Sequence, residues 1–369
     1  MHFKLAAVVL AAGYSSRMGF FKPLSRLKGV TALQRVIMSL FEAGVEDVLV
    51  VTGHRGEDVG RLAASCGAET VHNPLFDRGM FTSVQAGVAA MPEDAGAFFL
   101  LPADIPAVRP ATLISMANIA SPDRVVHPAF RGRRGHPPLI GTSLIPLILN
   151  HTGEGGLRAV WESRAITNVE LPVSDQGVLM DMDTRKDFEL ILVRLETNST
   201  TPSRDERLAL WEMAETPERV RRHCDRVAST CLAIGMALKR RGVEVDLPLL
   251  RGAALFHDVC RHREDHVRRG EEFLRTNGFP KMAAVAACHK DLPSRAPVEA
   301  AILHLSDKLV KDTGIVTLAE RKKQMRAAYG TDADAWASIG RRYAAARRTA
   351  RMVEKKTGCP LSDILDHLT

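Results

Sequence analysis

The stretch LAAGYSSRMGFFKPL (Leu10–Leu24) follows directly on the apolar run KLAAVVL (Lys4–Leu10). A short, fully apolar run of this kind reads as a strand buried on both faces of a sheet. The segment after it carries Gly13 and Gly19, the hydroxyls of Ser15 and Ser16, and the cations Arg17 and Lys22. Glycines let backbone N–H groups approach an anion, and the cations add charge. The stretch has neither the G-x-x-x-x-G-K-[ST] order nor the G-x-G-x-x-G order of the common nucleotide loops. It still predicts a phosphate cradle at the carboxyl end of a strand, where parallel sheets bind ligands.

The pattern continues outward. DVLVVTG, AGAFFLLP and RVVHPAF are further apolar runs bounded by turn residues. Helical periodicity lies between and after them, at Ala32–Ala43, Gly60–Cys66, Phe81–Met91 and Pro110–Ile119. This alternation predicts a Rossmann-like α/β unit, a mostly parallel sheet with helices on both faces. ITNVEL and GVLMDMD read as later strands near the sheet edge. DTRKDFELILVRLE reads as a closing helix, capped by Asp183 or Thr184, with Phe188, Leu190, Ile191 and Leu195 as its apolar residues.

TNSTTPSRDE (Thr197–Glu206) is polar and aperiodic, a linker composition. Beyond it the strand pattern stops. TPERVRRHCDRVASTCLAIGMALKRRG reads as a helix with Thr216 as cap, Pro217 at its first position and Gly242 as its stop. The chain is therefore expected to be α/β and then all-α, with domains at 1–197 and 207–369 joined by a linker at 198–206.

Composition fits a soluble, cytoplasmic protein. Of 369 residues, 46% are hydrophobic and 25% charged. No apolar run reaches a membrane span, and Leu5–Ala12 reads as a strand rather than a signal core. The six cysteines form no C-x-x-C pair. The first 200 residues carry 19 Lys and Arg against 20 Asp and Glu, and the remainder 31 against 23. That asymmetry suggests anionic ligands for the second domain. The basic helix RRYAAARRTARMVEKK (Arg341–Lys356) lacks aromatic stacking residues and reads as a solvated face, not a nucleic-acid surface.

Two places carry chemistry. In FFLLPADIP, Asp104 falls just past a strand's carboxyl end, where a carboxylate can hold Mg2+. In the second half, His223, His257, Asp258, His289 and Asp307 each sit in or beside an apolar helical stretch. A carboxylate facing a core is costly unless paired or metal-bound. Mixed imidazole and carboxylate ligands suit Mn2+, Fe2+, Ni2+ or Zn2+, ions that acidify water for attack on phosphorus.

LAAGYSSRMGFFKPL, NPLFDRGMFTSVQAG (Asn73–Gly87), PADIP, RGRRGHPPLIG and DMDTRKD together resemble the nucleotidyltransferases of molybdenum-cofactor synthesis, within the glycosyltransferase-A-like NTP transferases. The resemblance covers about residues 4–196 and implies transfer of a nucleoside monophosphate from an NTP to a phosphorylated acceptor. It implies that Leu10, Ala11, Ala12 and Gly13 hold base and phosphates, and that Arg17 and Lys22 stabilise the departing pyrophosphate. Asp104 would bind Mg2+, and Asp181 or Asp183 would complete the metal or substrate site. Ser83, Gly135 and His136 would line the nucleotide or acceptor pocket. The sequence LAAG, rather than LAGG, is that of the cytidylyl branch and implies CTP, with molybdopterin as acceptor. A molybdoenzyme or its maturation factor is then a candidate partner. The alternative acceptor is a sugar phosphate or another phosphorylated metabolite.

The order H…HD…D resembles the HD-domain phosphohydrolase superfamily over about residues 215–350. His223, His257, Asp258 and Asp307 match its four metal ligands. His266 and His289 match extra histidines that hold a second metal or a substrate phosphate in some branches. His262 and His304 do not match. The implied activity is metal-dependent phosphohydrolysis; the alternative is a metal- or nucleotide-sensing module that regulates the first domain.

Overall fold

Lys4–Leu10 forms β1, and its residues Ala6 to Val9 are almost wholly buried. The computed structural model describes residues 4–16, 18–162, 166–197 and 200–368. The chain divides into two compact units, residues 1–199 and 200–369.

In the first unit β1 pairs in parallel with β4 (Asp47–Thr52) on one side and β6 (Ala95–Pro102) on the other. The short hairpin β2 (Arg26–Leu27) and β3 (Val30–Thr31) lies apart from this sheet. The sheet order is β10-β7-β9-β6-β1-β4-β5, with β5 at Glu69–His72, β7 at Arg124–Phe130, β9 at Leu139–Gly141 and β10 at Thr167–Val173. β9 runs antiparallel to both neighbours, and β8 (Arg133–Arg134) pairs antiparallel with β7. The remaining pairings are parallel.

The apolar runs have the composition they do because both faces of the sheet are covered. Ala6, Val8, Phe98 and Leu100 pack with Val84 and Val88 of α3 (Met80–Ala89) and with Ile148 and Trp161 of α5 (Ile145–Leu149) and α6 (Gly156–Trp161). Ala7, Val9, Phe99 and Leu101 point the other way and are equally buried. α1 (Ala32–Glu42), entered through a Thr31–Gln34 capping box, packs on β1, β4, α2 (Gly56–Ser65) and α4 (Pro110–Ala117).

Two sequence expectations are corrected here. GVLMDMD is no strand: residues Gln176–Leu179 form a 3-10 turn whose N-cap is Asp175. A Cβ on Gly177 would stand 2.1 Å from the Ala107 carbonyl oxygen, so the backbone is pressed into the loop after β6. The closing helix α7 (Arg185–Thr197) forms, and Ile191, Phe188 and Leu195 join a small core with Met18, Leu27 and Met182. Leu190 instead faces outward, 50% exposed.

The second unit is helical: α8 (Arg204–Met213), α9 (Glu218–Lys239), α10 (Leu247–Phe256), α11 (His266–Thr276), α12 (Pro280–Ala287), α13 (Val298–Leu309), α14 (Leu318–Tyr329), α15 (Ala333–Thr357) and α16 (Leu361–Leu365). A two-residue hairpin, β11 (Val310–Lys311) with β12 (Gly314–Ile315), interrupts what the sequence reads as all-α. α8 starts inside the polar stretch read as linker, because Ser203 and Glu206 form its capping box. α9 is capped by Pro217, not Thr216, whose hydroxyl donates to the Val259 carbonyl at 2.8 Å. α9 packs on α10, α13, α15 and α16, around Ile234, Leu250, Phe256 and Leu303. The outward residues of the basic helix, Arg347, Arg348, Arg351, Lys355 and Lys356, are exposed. Among the described residues no helix is long and apolar enough to cross a membrane.

Candidate active sites

In the first unit the loop after β1 turns back through Ser15, which has φ 58°, and its hydroxyl accepts from the Lys22 backbone N–H at 3.0 Å. This places Lys22 beside the strand ends. Its ammonium donates to Asp104 Oδ2 at 2.9 Å and to Asp183 Oδ1 at 2.6 Å. The Met182 N–H donates to the Asp104 carbonyl at 2.9 Å, which ties the Asp181–Asp183 segment to the loop after β6. A cavity of about 220 Å3 is lined by Leu10, Ala11, Ala12, Gly13, Ser15, Lys22, Phe76, Met80, Ser83 and Asp104, among others. Asn73 Nδ2 donates to the hydroxyls of Thr82 and Ser83, each at 2.9 Å, and so fixes the start of α3 at this cavity.

In the second unit six side chains from five stretches of the chain converge as two groups. His223 of α9, His257 at the end of α10 and Asp307 of α13 form one, and Asp258, His266 and His289 form the other. Within each group the potential ligand atoms lie within 4.8 Å of one another. Asp307 Oδ1 is 3.4 Å from His223 Nε2 and 3.5 Å from His257 Nε2. Asp258 Oδ1 is 3.4 Å from both His266 Nε2 and His289 Nε2.

The backbone sets the ring orientations. His257 Nδ1 lies 2.7 Å from the Ala254 carbonyl, His289 Nδ1 2.8 Å from that of Ala286, and His223 Nδ1 3.1 Å from that of Asp312. A carbonyl only accepts, so Nδ1 carries a proton and Nε2 faces the carboxylates. His257 Nε2, His289 Nε2 and Asp258 Oδ1 are buried with no hydrogen-bond partner. Where these rings are neutral, acceptor faces acceptor, and either a proton on Nε2 or a divalent ion between them relieves the contact.

Residues 7–169 match the family model of the MobA-like NTP transferase domain, and residues 220–312 match that of the HD domain. The chain carries these two domains in that order. Three curated relatives resemble parts of it. The Bifunctional IPC transferase and DIPP synthase of Rubrobacter xylanophilus is 41% identical over 24% of this chain and 22% of its own length. The Molybdenum cofactor cytidylyltransferase of Escherichia coli is 26% identical over 49% of this chain and 92% of its own. The Probable molybdenum cofactor guanylyltransferase of Opitutus terrae is 38% identical over 29% of this chain and 51% of its own. The chain thus spans about a fifth of the first relative, nearly all of the second and half of the third.

In the NTP transferase domain, Leu10, Ala11, Ala12, Gly13, Lys22, Ser83 and Asp104 share one cavity. Gly135 and His136 do not line it. A Cβ on Gly135 would meet the Val178 carbonyl oxygen at 2.4 Å, and the His136 N–H donates to that oxygen at 2.8 Å, so the backbone here packs against the 3-10 turn. Burial lowers the pKa of the His136 ring, and the nearby Asp104 and Asp181 oppose that. Arg17 lies outside the described residues. Asp181 lies close to Asp183 and Asp104; burial and those two carboxylates push its pKa up. Burial opposes the charge on Lys22, but hydrogen bonds to Asp183 and Asp104 raise its pKa. Among the described residues these carboxylates form no three-ligand cluster of the kind found in the HD domain.

In the HD domain all six expected residues meet. Burial would lower the His257 pKa, but Cys224, Asp258 and Asp307 raise it well above the ordinary value. Burial likewise opposes the charge on Asp258, yet His257 and His289 hold its pKa well below the usual carboxylate range. His262 is exposed. His304 is buried and lies 3.1 Å from the backbone carbonyls of both His289 and Arg342, a structural position. Sequence reading did not single out Lys308, whose buried ammonium donates to the His289 carbonyl at 2.8 Å, nor Phe76 and Met80 at the first cavity. Only adjacency to Asp307 marked the lysine.

Proposed function

We propose that the chain is a bifunctional enzyme. Its first domain transfers CMP from CTP to the phosphate of molybdopterin and releases pyrophosphate. Its HD domain is a metal-dependent phosphohydrolase. An acceptor phosphate oxygen attacks the α-phosphorus of the nucleotide, and the bond from that phosphorus to the β-phosphate bridging oxygen breaks. Lys22, together with Arg17, carries the charge that collects on the pyrophosphate. Backbone N–H groups of Ala12 and Gly13 orient the phosphates. Asp104 and Asp183 would hold Mg2+, whose charge aids such transfers when it is bound. Positioning and fixed charge supply most of the rate in chemistry of this type.

The observation that carries the first reading is the convergence of Lys22, Asp104 and the Leu10–Gly13 loop on one cavity, with Asp183 beside them. LAAG and the relative named as a cytidylyltransferase support CTP. The test is incubation of the full chain with each NTP, Mg2+ and molybdopterin, with pyrophosphate followed. Sugar phosphates serve as the competing acceptors. Release with CTP and molybdopterin alone is the expected result.

For the HD domain the carrying observation is the set of buried, unpaired Nε2 and Oδ1 atoms. His223, His257 and Asp307, and separately Asp258, His266 and His289, would hold Mn2+, Fe2+, Ni2+ or Zn2+. Such an ion, when bound, acidifies water and polarises a phosphoryl group. The test is phosphate release from a panel of phosphate esters by the metal-loaded chain. Both activities fit a cytoplasmic enzyme of cofactor synthesis, which would hand its product to a molybdoenzyme or its maturation factor.

A further inference from the structure

Both HD ligand groups open into one cavity of about 1240 Å3. Pockets for drug-sized organic ligands run to about 300–1000 Å3, so the space far exceeds one phosphate group. Eight Lys and Arg residues line it against four carboxylates, and two of those, Asp258 and Asp307, belong to the ligand groups. Some of the cations are committed: Lys308 to the His289 carbonyl and Arg342 to Asp291 at 2.6 Å. Others are not. Among the described residues Arg219, Lys290, Lys311 and Arg321 form no ion pair with a carboxylate, yet all four line the same cavity. They come from four different elements: α9, the turn after α12, β11 and α14. Arg219 stands one turn before His223 on α9, so both lie on the same face of that helix.

Like charges gathered from separate elements repel one another unless an anion draws them together. The cavity also has an apolar side, with Met325 and Tyr329 of α14 and Ile339 and Tyr343 of α15. α14 buries none of its own residues, so its inner face is available to a ligand.

We infer that the HD cavity binds an organic compound bearing at least two phosphate groups, one at the histidine and aspartate groups and another held by Arg219, Lys311 and Arg321. This rests on the phosphohydrolase reading only for the fate of the first phosphate. Arginine and lysine give charge-assisted hydrogen bonds to phosphate oxygens, and the tyrosine wall receives the carbon skeleton.

The test compares adenosine 5′-monophosphate with adenosine 3′,5′-bisphosphate, neither of which is an NTP. Binding to the full chain, loaded with Mn2+, is measured by calorimetry, and turnover is measured alongside with p-nitrophenyl phosphate. The bisphosphate should bind tighter than the monophosphate by about tenfold or more, the worth of one charge-assisted contact. The double variant Arg219→Gln, Arg321→Gln should erase that difference and leave p-nitrophenyl phosphate turnover unchanged. Equal affinity for the two nucleotides, or a preference that survives in the double variant, overturns the inference. A preference lost in the variant with no ester turned over in either protein sustains the binding site and removes the hydrolase reading. Turnover without any preference does the reverse.

Discussion

His257 and Asp258 are adjacent in sequence, yet their side chains enter different ligand groups. His257 Nε2 faces Asp307 Oδ1 at 3.5 Å, while Asp258 Oδ1 faces His266 and His289 at 3.4 Å. Their own nearest approach, His257 Nε2 to Asp258 Oδ2, is 3.7 Å. The pair therefore joins two neighbouring three-residue groups, with its own side chains still within reach of one another.

This division predicts metal stoichiometry. Metal analysis after dialysis should find two Mn2+ per chain in the HD domain, and Asp258→Ala should cut that to one. A single ion in the native chain would restore the four-ligand arrangement.

The same groups predict metal-linked stability. An ion that binds only the folded state stabilises it by about 2.7 kcal/mol at a hundredfold excess over Kd. Chelator should lower the melting temperature of the HD transition, and Mn2+ or Fe2+ should restore it. His257 must be deprotonated to bind, and against burial Cys224, Asp258 and Asp307 raise its pKa, so the gain is full above that raised value and fades as pH falls through it. His304→Ala should keep the metal shift, since His304 contacts backbone carbonyls. Identical melting with chelator and with metal would leave the two groups without an ion.

The H…HD…D order was legible from its resemblance to the HD-domain superfamily, and the inward placement of its members from the apolar helical stretches beside them. The split into two groups was not, since it depends on which carbonyl each ring meets: Ala254 for His257, Ala286 for His289. The parallel sheet was legible from runs buried on both faces, such as Ala6 to Val9. GVLMDMD misled because apolar residues in a tight turn look like those in a strand. Its structure is set by Asp175 and by the approach of Gly177 to Ala107, neither of which a local pattern contains.

At the NTP site, Lys22→Ala and Asp104→Ala should each lower pyrophosphate release by about 100-fold or more, the cost typical of removing one charge-stabilising group. Both residues lie at the cavity rather than in the core, so melting temperature should change little. Turnover equal to that of the native chain would exclude the altered residue from the reaction.

Base choice is the next expectation. Ala12 is 4% exposed, and its methyl and Phe76 both lie within 2.9 Å of the point where a Cβ on Gly53 would stand. Ala12 and Phe76 both line the cavity, so the methyl takes space beside the ring. CTP should outcompete GTP in kcat/KM, and Ala12→Gly should narrow the gap through KM. Equal use of both nucleotides by the native chain would refute the pyrimidine reading.

The last expectation concerns Asp175, which no motif pointed to. It is 1% exposed and accepts from the Arg109 N–H at 2.7 Å, Arg109 Nη1 at 3.3 Å, Thr112 Oγ1 at 2.9 Å, Arg194 Nη2 at 2.5 Å and the Gly177 N–H at 2.9 Å. These tie α4, the 3-10 turn and α7 together, and the turn leads directly into Asp181 and Asp183. Removing one partner of a buried ion pair leaves the other charge uncompensated, at a cost of about 3–5 kcal/mol. Asp175→Ala should therefore lower the melting temperature of the NTP transferase domain strongly. Asp175→Asn keeps one acceptor oxygen, enough for Arg109 and Thr112 or for Gly177 and Arg194 but not for both, and loses the charge, so it should also lower the melting temperature, by less than Asp175→Ala. The HD transition and its response to metal should be the same in all three proteins. If Asp175→Ala melts like the native chain, the network contributes nothing to the position of Asp181 and Asp183.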